Sequence, residues 1–275
     1  MRRLFGVAVI AALAVALVFL ALPVAALFVD VGPGELLDSL DDRASLDALV
    51  LSLEVTAIAL AVIVVVGTPV AWGLATRRFR GRSLVVTVLE LPLVLPPAVA
   101  GIALLAAFGP DGLLGDALDS AGVELVFQTA GVVVALVFVA SPFYLRQAQA
   151  AFEALDPTLL EASRTLGAGE GRTFARVACP VAFPSLLAGA ALAWGRALGE
   201  FGATLIFAGS LQGVTQTLSL AIYEQFDVDF TVALALSAVL VLISAVTLLS
   251  VKLLTRWRSI SSSPIPFAAS TRPSS

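Results

Sequence analysis

DPTLLEASRTLGAGEGRTFARVACP, residues 156–180, is the one polar stretch of this chain that carries the marks of ordered structure. Asp156 followed by Pro157 supplies a helix N-cap and a proline at the first helical position, where its missing N–H costs nothing. Residues 158–166 then read as a short helix with Leu159, Leu160 and Leu166 toward one side. Gly167 stands where a left-handed stop belongs. A second short segment, 171–178, runs to Pro180, which is expected to end it. A capped helix with an apolar side needs a cover for that side. Two covers are open on physical grounds: a partner protein, or the membrane surface on which interfacial helices lie.

Outward from this stretch the chain turns apolar in both directions. Apolar residues make up 59% and charged residues 13%, against roughly half and a quarter in globular proteins, so lipid is the expected solvent. Six runs reach the roughly 20 residues that cross a hydrocarbon core: 4–28, 48–75, 84–108, 127–145, 183–207 and 230–254. The fifth is interrupted by Arg196 and Glu200. The fold class is therefore an all-α membrane protein of about six transmembrane helices. Residues 1–258 form one transmembrane domain, with 146–182 as its long loop. The Ser/Pro-rich tail, 259–275, is expected to be disordered. Met1-Arg2-Arg3 opens the first run as a secretory signal would, but the run is too long for a cleaved segment and reads as a retained helix.

Charge sets the orientation. Of the 16 Lys and Arg residues, all but Arg43 and Arg196 fall in the loops of one side or in the tail. Basic loops face the cytoplasm, which places both termini and 146–182 there. Acids show the reverse bias: Asp30, Glu35, Asp38, Asp41, Asp42 and Asp47 crowd the first outer loop, and Glu224, Asp227 and Asp229 the last. Such a surface suits concentrated salt, where repulsion between exposed charges is screened. An extremely halophilic source is the expectation; ordinary solvated loops are the alternative.

Composition also excludes chemistry. The chain has no His and a single Cys179, so an intrachain disulfide and a Cys/His metal site are ruled out. A P-loop needs a Gly-Lys pair, and the only lysine, Lys252, follows Val251. Any ATP chemistry must come from another subunit. A Ser-His nucleophile is equally impossible.

Charges inside membrane spans are functional candidates. Glu54 and Glu90 lie near span ends and read as interfacial carboxylates. Arg196 and Glu200, four apart, share one helix face and can pair, either lining a path or linking helices. Gly195 and Gly199 let backbones approach closely, against a second copy or against the chain's own helices. Pro92, Pro96, Pro97 and Pro142 free backbone groups within helices, shaping a cavity or merely kinking. Arg196 reads as the only intramembrane cation, which suits a conduit that must release its cargo.

Glu161-Ala162-Ser163, Gly167 and Val177-Ala178-Cys179-Pro180 resemble the EAA loop of ABC importer permeases: EAA, three residues, Gly, nine residues, Ile-x-Leu-Pro. Ser replaces the second Ala, Val the Ile and Cys the Leu. The resemblance runs from the second helix to the sixth. Leu91-Pro92-Leu93-Val94-Leu95-Pro96-Pro97, Ser141-Pro142-Phe143, the run 196–204 and Thr215-Gln216-Thr217-Leu218 resemble the molybdate/tungstate branch, and sulfate permeases are similar here. The resemblance implies a type I ABC importer permease (MetI-like) fold and a non-catalytic subunit for molybdate or tungstate uptake. It implies that Asp156, Glu161, Ala162, Ser163, Gly167 and Pro180 meet a dimeric ATP-binding-cassette subunit that holds ATP and Mg. It also implies a homodimer with the path on its axis and an extracellular oxyanion-binding protein. Pro92, Pro96, Arg196, Glu200 and Thr204 are the path candidates. No cofactor of its own and no nucleic acid are expected. Sulfate or thiosulfate is the alternative cargo. From another class, a stand-alone secondary transporter would commonly show internal repeat halves, and no convincing repeat is seen.

Overall fold

The computed structural model describes residues 2–32, 34, 39 and 42–261. Among these every regular element is helical. Five helical stretches are long and apolar enough to cross a membrane: α1 (Arg2–Asp30), α2 (Arg43–Thr76), α6 (Thr129–Glu153), the continuous stretch Glu170–Leu198, and α12 (Phe230–Ser261). A bent pair, α3 (Arg82–Val94) and α4 (Pro97–Phe108), makes up to six spans. Short helices lie between them: α5 (Gly115–Ser120), α7 (Pro157–Thr165), α8 (Glu170–Thr173), α10 (Gly202–Ala208) and α11 (Leu218–Val228). A π-helical turn, Phe174–Ala178, joins α8 to α9 (Cys179–Leu198).

The core is the packing of α2, α6 and α9, around Val55, Ala59 and Ile63, Leu136, Ala140 and Tyr144, and Ala182, Leu186 and Ala193. Lipid tails are as apolar as these side chains, so close backbone approach, not water exclusion, holds the helices together. Gly67 faces the Tyr144 ring, and a Cβ there would lie 3.0 Å from it. Gly189 likewise faces Gln147, at 2.9 Å. The fully buried Tyr144 shares a 2.6 Å hydrogen bond with the Thr68 hydroxyl, which satisfies the one polar atom it brings in. By contrast, the membrane-length part of α1 buries nothing; it leans on α12 and presents its apolar surface outward.

The structure corrects several expectations. The run 84–108 is not one straight span: α3 and α4 meet at 119°. Leu95 is extended, with ψ 130°, because the ring of Pro96 disfavours a helical residue before it. Pro97 then opens α4. The fourth helix continues to Glu153, about two turns past residue 145. Arg146 therefore lies inside it and pairs with Glu90 of α3 at 3.1 Å. Arg146 is thus helical rather than in a loop, and Glu90 is a paired carboxylate. A second link, Arg82 to Glu153 at 2.7 Å, also ties α3 to α6. These pairs matter because α3 buries no side chain of its own. At the end, α12 runs through Ser261, into the expected tail; residues 262–275, like Glu35, Asp38 and Asp41, lie outside the described residues.

Candidate functional site

The cytoplasmic helix forms as its local chemistry dictates. Asp156 sits at the N-cap and its Oδ1 accepts the Thr158 N–H at 2.9 Å. That backbone hydrogen bond holds the Asp156 carboxyl below its ordinary pKa. The cap is therefore complete at neutral pH and is lost as pH falls through that lowered value. At the other end, Ala168 N–H bonds to Ser163 C=O and Gly167 N–H to Arg164 C=O, with Gly167 at φ +81°. This is a full Schellman closure, and its left-handed residue is why glycine stands there.

The three leucines of this helix do not share a side. Leu160 packs on the core, beside Leu155 and Phe174, whereas Leu159 and Leu166 are 44% and 87% exposed. With Ala162 they form a stripe at i, i+3 and i+7, because residues one apart diverge by about 100° around a helix. Glu161 is exposed beside it and makes no ion pair among the described residues. Ser163 turns inward to the buried Thr173, with hydroxyls 2.9 Å apart.

Pro180 does not end the second segment. The helix runs unbroken through it, because the π turn Phe174–Ala178 widens the backbone just upstream. Cys179 N–H reaches back five residues to Phe174 C=O. The wider turn relieves the clash that a proline ring makes with the preceding turn.

The second candidate group gathers where two helices break. Here the fifth span ends at Leu198, earlier than residue 207, and 199–201 leave the helix before α10 begins. Arg196 and Glu200 do pair, at 2.6 Å, although Glu200 stands in the break. Its other oxygen accepts the Ala203 N–H at 2.7 Å, so one carboxylate, 2% exposed, neutralises Arg196 and caps α10. Thr204 is fully buried and donates to Phe201 C=O at 2.8 Å. The α3–α4 break abuts this one: a Cβ on Gly202 would lie 2.8 Å from Pro97 Cβ. Pro96 is exposed at that joint, while Pro92 is half-buried within α3.

A third group comes from far along the chain. Ser52 Oγ on α2 accepts the Leu218 N–H that opens α11, at 2.6 Å. Ser219 donates to Leu198 C=O at 3.1 Å, fixing α11 against the end of α9. Gln216 bonds Glu224. The Thr215–Leu218 run was visible in the sequence; the seat of Leu218 on Ser52 was not. Gly195 and Gly199 meet no other element: a Cβ at Gly195 would have nothing within 4 Å, and one at Gly199 only Gly195 C=O.

Residues 63–260 match the family described as binding-protein-dependent transport system inner membrane component. The molybdenum transport system permease protein ModB of Mycobacterium tuberculosis is 43% identical over 235 residues, 86% of this chain and 89% of that protein. The sulfate transport system permease protein CysT of Escherichia coli is 37% identical over 191 residues, 69% of each. Among solved structures, a bacterial ABC transporter that imports the acidic polysaccharide alginate superposes with a TM-score of 0.73 at 17% identity, covering 92% of this chain and 95% of that one. That likeness concerns the fold. With the family match spanning most of the chain and the helical architecture agreeing, the protein belongs to this inner-membrane component family and is the multi-pass permease subunit of an ABC importer.

Proposed function

We propose that this permease carries molybdate, with tungstate on the same path, driven by a separate ATPase subunit. The observation that carries the cargo is the 43% identity to ModB over 86% of the chain, against 37% over 69% for the sulfate permease. Sulfate stays the second reading on that comparison. The chain itself hydrolyses nothing. Its role is a conduit, for which the pairing of Arg196 with Glu200 is apt, since a dianion meets no bare cation there.

In this reading the exposed stripe of Leu159, Ala162 and Leu166 on α7 docks into the ATPase, with Glu161 beside it and Asp156, Ser163, Gly167 and Pro180 holding the helix in place. Two copies pair, with the open flank of Gly195 and Gly199 offering a surface for close helix contact. The abutting breaks at 95–97 and 199–201, with Pro92, Pro96, Arg196, Glu200 and Thr204 around them, line the path between the copies. A binding protein outside the cell delivers the oxyanion. The acidic outer loops support life in concentrated salt, where screening relaxes their repulsion. Residues 1–258 act as one membrane domain.

Docking is tested by two substitutions. Glu161→Lys reverses the charge beside the stripe. Gly167→Val forces a β-branched residue into φ +81°, a strain of about 1–2 kcal/mol. Both variants are expected to insert normally and to retain less ATPase on pull-down. Wild-type yield from both would refute the docking surface. Cargo is tested by ATP hydrolysis in vesicles holding the permease, its ATPase and its binding protein. Stimulation by molybdate or tungstate where sulfate is silent is expected. A response to sulfate alone would move the cargo to the second reading.

A further inference from the structure

We propose that Phe174, Trp72 and Phe152 form a relay that carries displacement of α7 into the membrane helices α2 and α6. The inference rests on the proposed docking of the ATPase at α7. Trp72 lies on the last turn or so of α2, Phe152 on the last turn of α6, and Phe174 on the π turn. Their rings pack as a triangle: Trp72–Phe152 centroids are 5.3 Å apart, Trp72–Phe174 5.7 Å and Phe152–Phe174 6.1 Å.

The contacts that α7 makes with the body lie beside this triangle. Helix α7 has no buried side chain of its own and touches the body through Leu160 and the Ser163–Thr173 hydroxyl pair. Leu160 packs in the cluster that holds all three rings, and Thr173 is the residue before Phe174. From Glu170 to Leu198 the helical backbone is unbroken, so α9 moves with the same lever. Aromatic rings have only two side-chain torsions and pack at crystal-like density, so a push on one is passed on. An ion pair at this end, Arg77 to Glu170 at 3.3 Å, is 72% and 67% exposed. Solvent screening leaves such a pair little strength. The rings, not that pair, bear the load.

The test uses the complete importer in vesicles. Phe174→Ala is expected to retain the ATPase at wild-type yield and hydrolyse ATP, while oxyanion uptake per ATP falls about tenfold, within the range for mutations in a coupling network. Phe174→Tyr, which keeps the ring, should restore the ratio; a merely structural role would not separate transport from hydrolysis. Trp72→Leu, on a different helix, should show the same split and decides the matter if Phe174→Ala fails to assemble. An unchanged ratio in the assembled variant overturns the relay. A wild-type complex that takes up no oxyanion refutes the proposed cargo instead. The relay is then judged by Trp72 emission in a Trp194→Phe, Trp257→Phe background. ATP should shift it in that parent and not when Phe174→Ala is added; a shift retained there overturns the relay.

Discussion

Glu200→Ala is expected to lower stability by about 3–5 kcal/mol, the cost of removing one partner from a buried ion pair. Three consequences fall together. Arg196, whose side chain is 27% exposed, loses the carboxylate that neutralises it at 2.6 Å. The Ala203 N–H loses its 2.7 Å acceptor. The shorter side chain also leaves a void, since Glu200 itself is only 2% exposed. Glu200→Gln keeps an oxygen for Ala203 but turns an uncharged amide toward Arg196, and should recover part of the loss. Arg196→Ala should be costly alone and cheaper when combined with Glu200→Ala, since the two losses share one interaction. Thermal melting of the detergent-solubilised permease measures all four variants. A wild-type melting temperature for Glu200→Ala would show that the pair is not what joins α9 to α10.

Gly101→Ala should destabilise by about 1–3 kcal/mol through overpacking, although alanine is the better helix former. A Cβ at this position would lie 2.8 Å from Ile206 Cβ and 2.9 Å from the Ala203 carbonyl oxygen. The obstruction includes backbone, which cannot swing aside, so α4 and α10 must separate. Gly73→Ala is the control. Nothing lies within 4 Å of a Cβ there, and relief of glycine's backbone entropy should stabilise α2 by about 0.5–1 kcal/mol. Opposite signs in the same melting experiment are the expected result. Equal effects would mean that the α4–α10 contact is not held at this distance. Because that contact abuts the break at 199–201, the Gly101 variant should also disturb the joint between the two broken helices.

Much of this protein was legible before any tertiary contact was known. Five long apolar helices and the sidedness of their loops follow from hydropathy and the placement of Lys and Arg. In lipid a segment must satisfy its own backbone hydrogen bonds, so spanning is a local property. The cytoplasmic helix was legible for the same reason: Asp156, Pro157 and Gly167 act within one turn of themselves. The side its leucines face was not, because Leu160 turns inward only where a core exists to receive it.

Proline marks the boundary between the two kinds of knowledge. Pro23, Pro69, Pro142 and Pro184 all remain inside helices, so composition alone did not single out 95–97 as the broken joint. Two adjacent prolines there, with Gly202 of α10 abutting Pro97, make the 119° turn. Glu200 was legible as a partner for Arg196 by its spacing, and its second task of capping α10 was not, since the helix ends two residues before it.

The solvent of this protein, its orientation, its capped cytoplasmic helix and its family pattern could be read from the chain alone, since each depends on composition or on residues close together in sequence. Tertiary structure alone decided that Arg146 meets Glu90, that Ser52 receives α11 from 166 residues away, and that Trp72, Phe152 and Phe174 close into one triangle. Those contacts join separate helices, and in a membrane the pairing of helices is chosen by shape and by single polar partners that no local pattern encodes.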